Sequence, residues 1–202
     1  MPERRAPRPR PMGLGLVSWF FAGLALVVLG VEPAGATQRF AAKGELELAF
    51  TPRDDAESLL VSVIAQARRS LHVQAYAFTS RRIADAMVAA QRRGVDVQVL
   101  ADAHMNRKPK GNVLPRLLAA GVPVALESRY QAAHNKVLIV DAAGPDCVVL
   151  TGSYNFTWSA QNRNAENVLV LRGHCELAQA YRENWLRHRR EAVAITSLPV
   201  KR

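Results

Sequence analysis

Polar and apolar side chains alternate along Glu45–Phe50 (ELELAF), Leu71–Phe78 (LHVQAYAF) and Val95–Ala101 (VDVQVLA). A period of two sends successive side chains to opposite faces, so these segments are predicted strands. Shorter apolar runs at Val122–Leu126, His134–Val140, Val148–Leu150 and Asn167–Leu171 are predicted strands as well. Between them the spacing lengthens to that of a helix. Asp54 or Asp55 is placed to cap a helix running to about Arg69, with Leu59, Leu60, Ile64 and Ala67 on one face. Ser80–Arg93 is a second helix, stopped by Gly94. Asn112–Ala120 is a third, ended by Gly121, and Glu176–Arg190 is the last. Thr51-Pro52 breaks the chain after the first strand, and His104–Gly111 (HMNRKPKG) is a basic loop. Strands alternating with helices argue an α/β layered sheet in one domain.

The N-terminus follows neither period. Met12–Val31 is almost wholly apolar with no polar face; Arg4, Arg5, Arg8 and Arg10 precede it and Ala34-Gly35-Ala36 follows. This order is that of a secretory signal peptide cut after Ala36, or of an uncleaved membrane anchor, since roughly 20 apolar residues span a bilayer. Either way the remainder is exported, to the periplasm or beyond, or held at the inner membrane facing outward. The expected organisation is 1–36 export segment, 37–44 linker, 45–195 folded domain and 196–202 tail. The 202 residues carry 27 Lys+Arg against 17 Asp+Glu, a formal +10. Residues 1–36 hold four Arg and two Glu, so the remaining chain keeps +8. Such a balance suits a polyanionic partner: nucleic acid, anionic lipid or an acidic polymer. The 49% hydrophobic content excludes a disordered chain, and two cysteines exclude a disulfide-dense scaffold. Cys147 and Cys175 both flank predicted strands, and whether they pair stays open.

Chemistry concentrates between residues 134 and 166. His-Asn-Lys-Val-Leu-Ile-Val-Asp at 134–141 places His134 and Lys136 on one strand face, continued by Leu138 and Val140. The next strand runs into Thr151-Gly152-Ser153-Tyr154-Asn155-Phe156, where Ser153 and Asn155 share a face and Gly152 admits close backbone approach. Glu166 opens the strand after that. An imidazole, an ammonium, a hydroxyl, an amide and a carboxylate are thus expected at one sheet edge. Lys136 and Asn155 suit phosphoryl oxygens, and an imidazole can attack phosphorus. The basic loop, with Arg107, Lys108 and Lys110, is a candidate contact for a nucleic-acid backbone. Other residues are assigned to structure: His72, His174 and His188 to the surface or strand edges, Trp158 and Trp185 to packing.

The ordered combination His-x-Lys, four residues, Asp, then Gly-Ser-x-Asn resembles the phospholipase D superfamily, and within it the small single-motif bacterial endonucleases. The resemblance covers about Phe50 to Val193. It includes Thr51-Pro52, Gln74–Thr79, Arg93–Val97, Gly152–Thr157 and Ala165–Leu169. The stretch Ala142–Asp146 makes the segment between Asp141 and Gly152 longer than is usual there. The resemblance implies a mixed β-sheet flanked by helices on both faces, a phospholipase D/nuclease-like α/β/α sandwich. It also implies no cofactor and no metal. One chain holds half a site, so a homodimer is implied, pairing two copies across a two-fold axis. His134 of one copy would attack phosphorus and the second copy's histidine would protonate the leaving group. Lys136, Ser153 and Asn155 would hold the phosphoryl oxygens, Glu166 would bond the far nitrogen of His134, and Asp141 would position the strand end. A bell-shaped pH–rate profile is expected from two coupled imidazoles. The implied activity is cleavage of DNA, or RNA, with little sequence preference. Two other readings fit the same residues: a phospholipase or phosphatidyl transferase acting on membrane lipids, with the membrane otherwise touched only by an uncleaved N-terminal segment, and a non-catalytic nucleic-acid-binding module.

Overall fold

The computed structural model of the chain describes Met1, residues 37–108 and residues 111–198. The export-segment reading of 1–36, Lys110 and the last four residues of the predicted tail lie outside the described residues. Among the described residues no helix is long and apolar enough to cross a membrane. From Arg39 onward the chain forms one unit.

Its centre is a mixed sheet of eight strands: β1 (Glu45–Thr51), β2 (Ser70–Ala75), β3 (Asp96–Asp102), β4 (Val124–Glu127), β5 (Lys136–Val140), β6 (Val148–Gly152), β7 (Glu166–Arg172) and β8 (Val193–Ile195). They lie in the order β1-β7-β6-β5-β2-β3-β4-β8. The helices are α1 (Ala56–Gln66), α2 (Arg81–Arg92), α3 (Ala103–Asn106), α4 (Leu114–Ala119), α5 (Trp158–Asn162) and α6 (Cys175–Glu191). β2, β3 and β4 run parallel, joined by helical crossovers, while β5, β6 and β7 form an antiparallel meander. The expected α/β/α sandwich is observed.

Alternation along the strands builds the two layers. Leu138 and Val140 join Val73, Val97, Val99 and the buried faces of α1, α2 and α4 in the larger core. Their neighbours Val137 and Ile139 face the other way, against Ala178 and Trp185 of α6. Trp185 is buried as expected and donates its indole N–H to the Val73 carbonyl at 3.0 Å.

Asp141 sets the register at the centre. Its carboxylate accepts the N–H groups of Arg68, Arg69 and Ser70 at 2.9, 2.8 and 2.7 Å. Its own N–H donates to the Ser70 carbonyl at 3.0 Å. These bonds tie the entry of β2 to the exit of β5. They also explain why α1 stops at Gln66 rather than Arg69: the backbone N–H groups of residues 68–70 turn to a carboxylate instead of a helical carbonyl.

Other differences from expectation have equally local causes. His72, His174 and His188 are buried, not superficial. The first stacks on Trp185 with ring centroids 4.4 Å apart. His174 accepts the Leu177 N–H at Nδ1 and so donates from Nε2 to the Ala41 carbonyl, 3.0 Å away. His188 Nδ1 lies 2.5 Å from Glu127 Oε1. Residues 37–44 are not a free linker throughout: besides the His174 bond, Lys43 pairs with Glu176 at 3.3 Å. Residue 198 of the predicted tail, a leucine, is buried in the larger core. Cys147 and Cys175 form a disulfide with a Cα–Cα distance of 5.4 Å, joining the start of β6 to the start of α6.

Candidate functional site

Antiparallel pairing brings the amino ends of β5 and β7 beside the carboxyl ends of β2 and β6. The side chains singled out from the sequence gather there. Lys136 begins β5 opposite Ala75. Only 4% exposed, it is steered inward by the alternation that buries Leu138 and Val140. Its ammonium lies 2.7 Å from the Nδ1 of His134 and donates to the His134 carbonyl, also at 2.7 Å. An ammonium has only donors, so Nδ1 accepts, and the neutral ring carries its proton on Nε2. The imidazole is exposed at the mouth of the site.

Two further contacts frame this pair. The Tyr76 ring lies 4.2 Å from the imidazole at an interplanar angle of 54°. The Lys136 ammonium stands 4.8 Å over the same ring. Tyr76 was assigned no role above, because its place beside His134 follows from the β2–β5 register, which no local pattern encodes. Asp102 was missed for the same reason. Buried at the end of β3, it accepts the Met105 N–H at 2.7 Å and the Ala133 N–H at 2.8 Å. The residue just before His134 is therefore fixed to the neighbouring strand.

On the β6–β7 side, Gly152 adopts φ 154° and a Cβ there would collide with the Asn167 carbonyl oxygen. That carbonyl accepts the Ser153 N–H at 3.1 Å. The Ser153 hydroxyl in turn accepts the Asn167 N–H at 3.1 Å and its amide at 3.3 Å. The Asn155 Oδ1 is buried with no hydrogen-bond partner among the described residues. Glu166 is half-buried, and its N–H donates to the Thr51 hydroxyl at 3.2 Å. The expected bond from Glu166 to the far nitrogen of His134 is not made; its Oε1 accepts the Asn164 amide at 2.8 Å. Glu166 instead acts on the site through its charge. Burial pushes the Lys136 ammonium down to about 8, and the Glu166 carboxylate opposes that fall.

Asp141 does not join this cluster. It sits at the other end of β5, about 17 Å away at roughly 3.4 Å per residue, and both carboxylate oxygens are taken up by backbone N–H groups. Arg107 and Lys108 are exposed in the loop after α3. Asn106 ties that loop to the site: its amide donates to the Tyr76 carbonyl at 2.5 Å and its Oδ1 accepts the Phe78 N–H at 3.2 Å. Trp158, assigned to packing, is not buried. It opens α5 with 58% of its surface exposed, three residues after Asn155.

Residues 60–189 match the family model described as cardiolipin synthase, PLD-like domain. The chain belongs to the phospholipase D superfamily. The phospholipase D of Rickettsia felis is 38% identical over 144 residues, 71% of this chain and 69% of that one. Among solved structures, the phospholipase D family member Nuc from Salmonella typhimurium has a TM-score of 0.72 and 31% identity; the match covers 77% of this chain and all of Nuc. NucT from Helicobacter pylori has a TM-score of 0.68 and 26% identity, covering 76% of this chain and all of that one.

The Lys136 ammonium gives the site a defined alkaline limit. Its charged form is the one that can hold a phosphoryl oxygen, so raising the pH through about 8 removes that charge. The expected result is a kcat/KM that falls above pH 8. In Lys136→Arg, whose guanidinium stays charged, the part of this fall that Lys136 causes should go, so the limb should change position, leaving only the fall of the imidazole acid. A limb unchanged in Lys136→Arg assigns it elsewhere.

Proposed function

We propose that this protein is an exported phosphodiesterase that cleaves DNA, with RNA a further substrate, independently of metal and of sequence, in a site shared by two copies of the chain. The observation that carries the reading is the His134–Lys136 pair, 2.7 Å apart, with the lysine buried and the imidazole open to solvent at the sheet end where Ser153, Asn155 and Glu166 also lie.

The chemistry follows from the donors present. Lys136 occupies Nδ1, which leaves Nε2 as the nitrogen facing substrate. Attack from Nε2 requires the ring proton to sit at Nδ1. Lys136 therefore releases Nδ1 as substrate enters and turns to a phosphoryl oxygen, and the exposed ring loses its Nε2 proton to water and takes one from water at Nδ1. The Nε2 lone pair forms a bond to phosphorus, the bond from phosphorus to the leaving oxygen breaks, and the partner subunit's His134 supplies that oxygen's proton. In the second half, water attacks phosphorus and gives its proton to the partner subunit's His134. The phosphorus–nitrogen bond then breaks and its electrons return to Nε2. Asn155 and Ser153 complete the cradle for the developing charge.

An apolar face supports the dimer. Leu46, Leu48 and Phe50 alternate along β1 and remain 61%, 59% and 55% exposed. They pair with Leu171, Leu169 and Asn167 of β7. The stripe thus runs directly to Asn167, the residue bonded to Ser153. A second copy laid on it would make an isologous contact, which uses the same patch twice. The disulfide supports export, because such bonds persist in oxidising compartments. The net +8 outside residues 1–36 and the exposed Arg107 and Lys108 support a polyphosphate backbone as substrate.

The Rickettsia relative favours a second reading, a phospholipase. One experiment separates them: purified protein is assayed in EDTA on supercoiled plasmid and on phospholipid vesicles. Nicking that survives chelation and falls steeply with salt is expected. Release of headgroup without nicking would establish the lipid reading.

A further inference from the structure

More than half of the Trp158 surface faces solvent. A single exposed apolar side chain needs no explanation by itself; three features set this one apart. The first is its support. Ala160, on the inner face of α5, is fully buried, and Gln161 anchors the helix by accepting the Glu57 N–H at 3.0 Å and donating to the Asp54 carbonyl at 2.9 Å. The Thr157 hydroxyl caps the helix by accepting the Ala160 N–H at 3.2 Å. The indole therefore projects from a rigid base, with little ordering left to do on binding.

The second feature is its companion. The Arg163 guanidinium stands over the indole, 4.9 Å from the ring. A cation there stacks favourably on the ring and adds attraction for a phosphate nearby. The third is position. Three residues from Asn155 reach at most about 10 Å, and the Thr157 N–H folds back onto the Asn155 carbonyl at 2.7 Å. At roughly 3.4 Å per phosphate along a strand, the Trp158 backbone lies within about three nucleotide steps of the Asn155 backbone.

We propose that Trp158, backed by Arg163, is a stacking platform for an unpaired nucleobase next to the scissile phosphate. This rests on the nucleic-acid reading of the site and deepens it: the preferred substrate is single-stranded or locally unpaired. Every base has a π face, so such a platform strengthens binding without reading sequence. The guanidinium over the ring favours a strand that carries both a phosphate and a base, which is why a base is the better occupant than an acyl chain.

The test measures binding by full-length protein in a His134→Ala background, so that nothing is cut. The ligands are oligodeoxythymidylate and an abasic oligomer of the same length. Trp158→Ala and Trp158→Gln should weaken oligodeoxythymidylate binding about 5- to 100-fold, with the loss confined to the base-bearing oligomer. Trp158→Phe should restore most of it. Oligodeoxythymidylate should quench the fluorescence of the Trp158-containing protein far more than that of Trp158→Phe. An equal loss on both oligomers overturns the proposal. So does conversion of Trp158→Ala to monomers in sedimentation, which would make the ring an interface residue. Loss of binding to cardiolipin vesicles with oligomer binding intact overturns it in favour of a lipid. If Trp158-containing protein binds neither oligomer, the nucleic-acid reading itself fails. If that reading holds and Trp158→Ala binds as tightly, only the stacking inference fails.

Discussion

Replacing His134 by alanine should lower phosphodiester cleavage by roughly 10⁴-fold or more while leaving the fold intact. The side chain is exposed and its only described side-chain hydrogen bond is to Lys136. Its removal thus takes away the attacking nitrogen without opening the core, and the melting temperature should hold within a few degrees. A sharper readout comes from mixing. If each site needs His134 from both copies, an equal mixture of His134→Ala and unmodified chains, allowed to exchange subunits, should retain only roughly one quarter of the full activity, the statistical share of unmodified pairs. A mixture that retains half shows that each chain works alone and removes the shared site from the mechanism.

Replacing Asp141 by alanine should do the reverse. The carboxylate is 3% exposed and accepts three backbone N–H groups. Alanine leaves those donors facing an apolar methyl, at a cost of about 3–5 kcal/mol for a broken buried network. In a chain of this size that lowers the melting temperature by roughly 10 °C. Cleavage per folded molecule should persist at temperatures well below the new midpoint, because the residue stands a full strand length from His134. Loss of turnover with an unchanged melting temperature would return Asp141 to the catalytic group. The third conspicuous residue of the His-x-Lys-x4-Asp pattern is thus expected to act on register: it holds β2 against β5, and that pairing delivers Tyr76 to the imidazole.

Much of the fold was legible because its signals are local. The period-two run at 95–101 became β3, and the run at 71–78 became β2 as far as Ala75; the predicted helix 80–93 became α2, with Ser80 as its cap through the Ile83 N–H. What escaped was short or conditional. α5 has only five residues, too few for a periodic signal. β8 has three and forms by pairing with β4. His188 reads as one more basic residue near a helix end, and its burial depends on Glu127 being carried to it by β4. Trp158 and Trp185 look alike as letters; one is buried against Val73 and the other faces solvent because α6 lies across the sheet and α5 stands at its end.

The sequence by itself determined the family, the layered class and the set of reactive groups, since periodicity, capping and an ordered motif depend only on near neighbours along the chain. Only the tertiary structure decided which of those groups meet. Strand register brought Tyr76 to His134 and Asp102 to the preceding Ala133 and sent Asp141 to the far end, and the packing of α6 against the sheet paired Cys147 with Cys175. Register is fixed by bonds between residues tens of positions apart, such as Asp141 with Ser70. No local pattern carries that information.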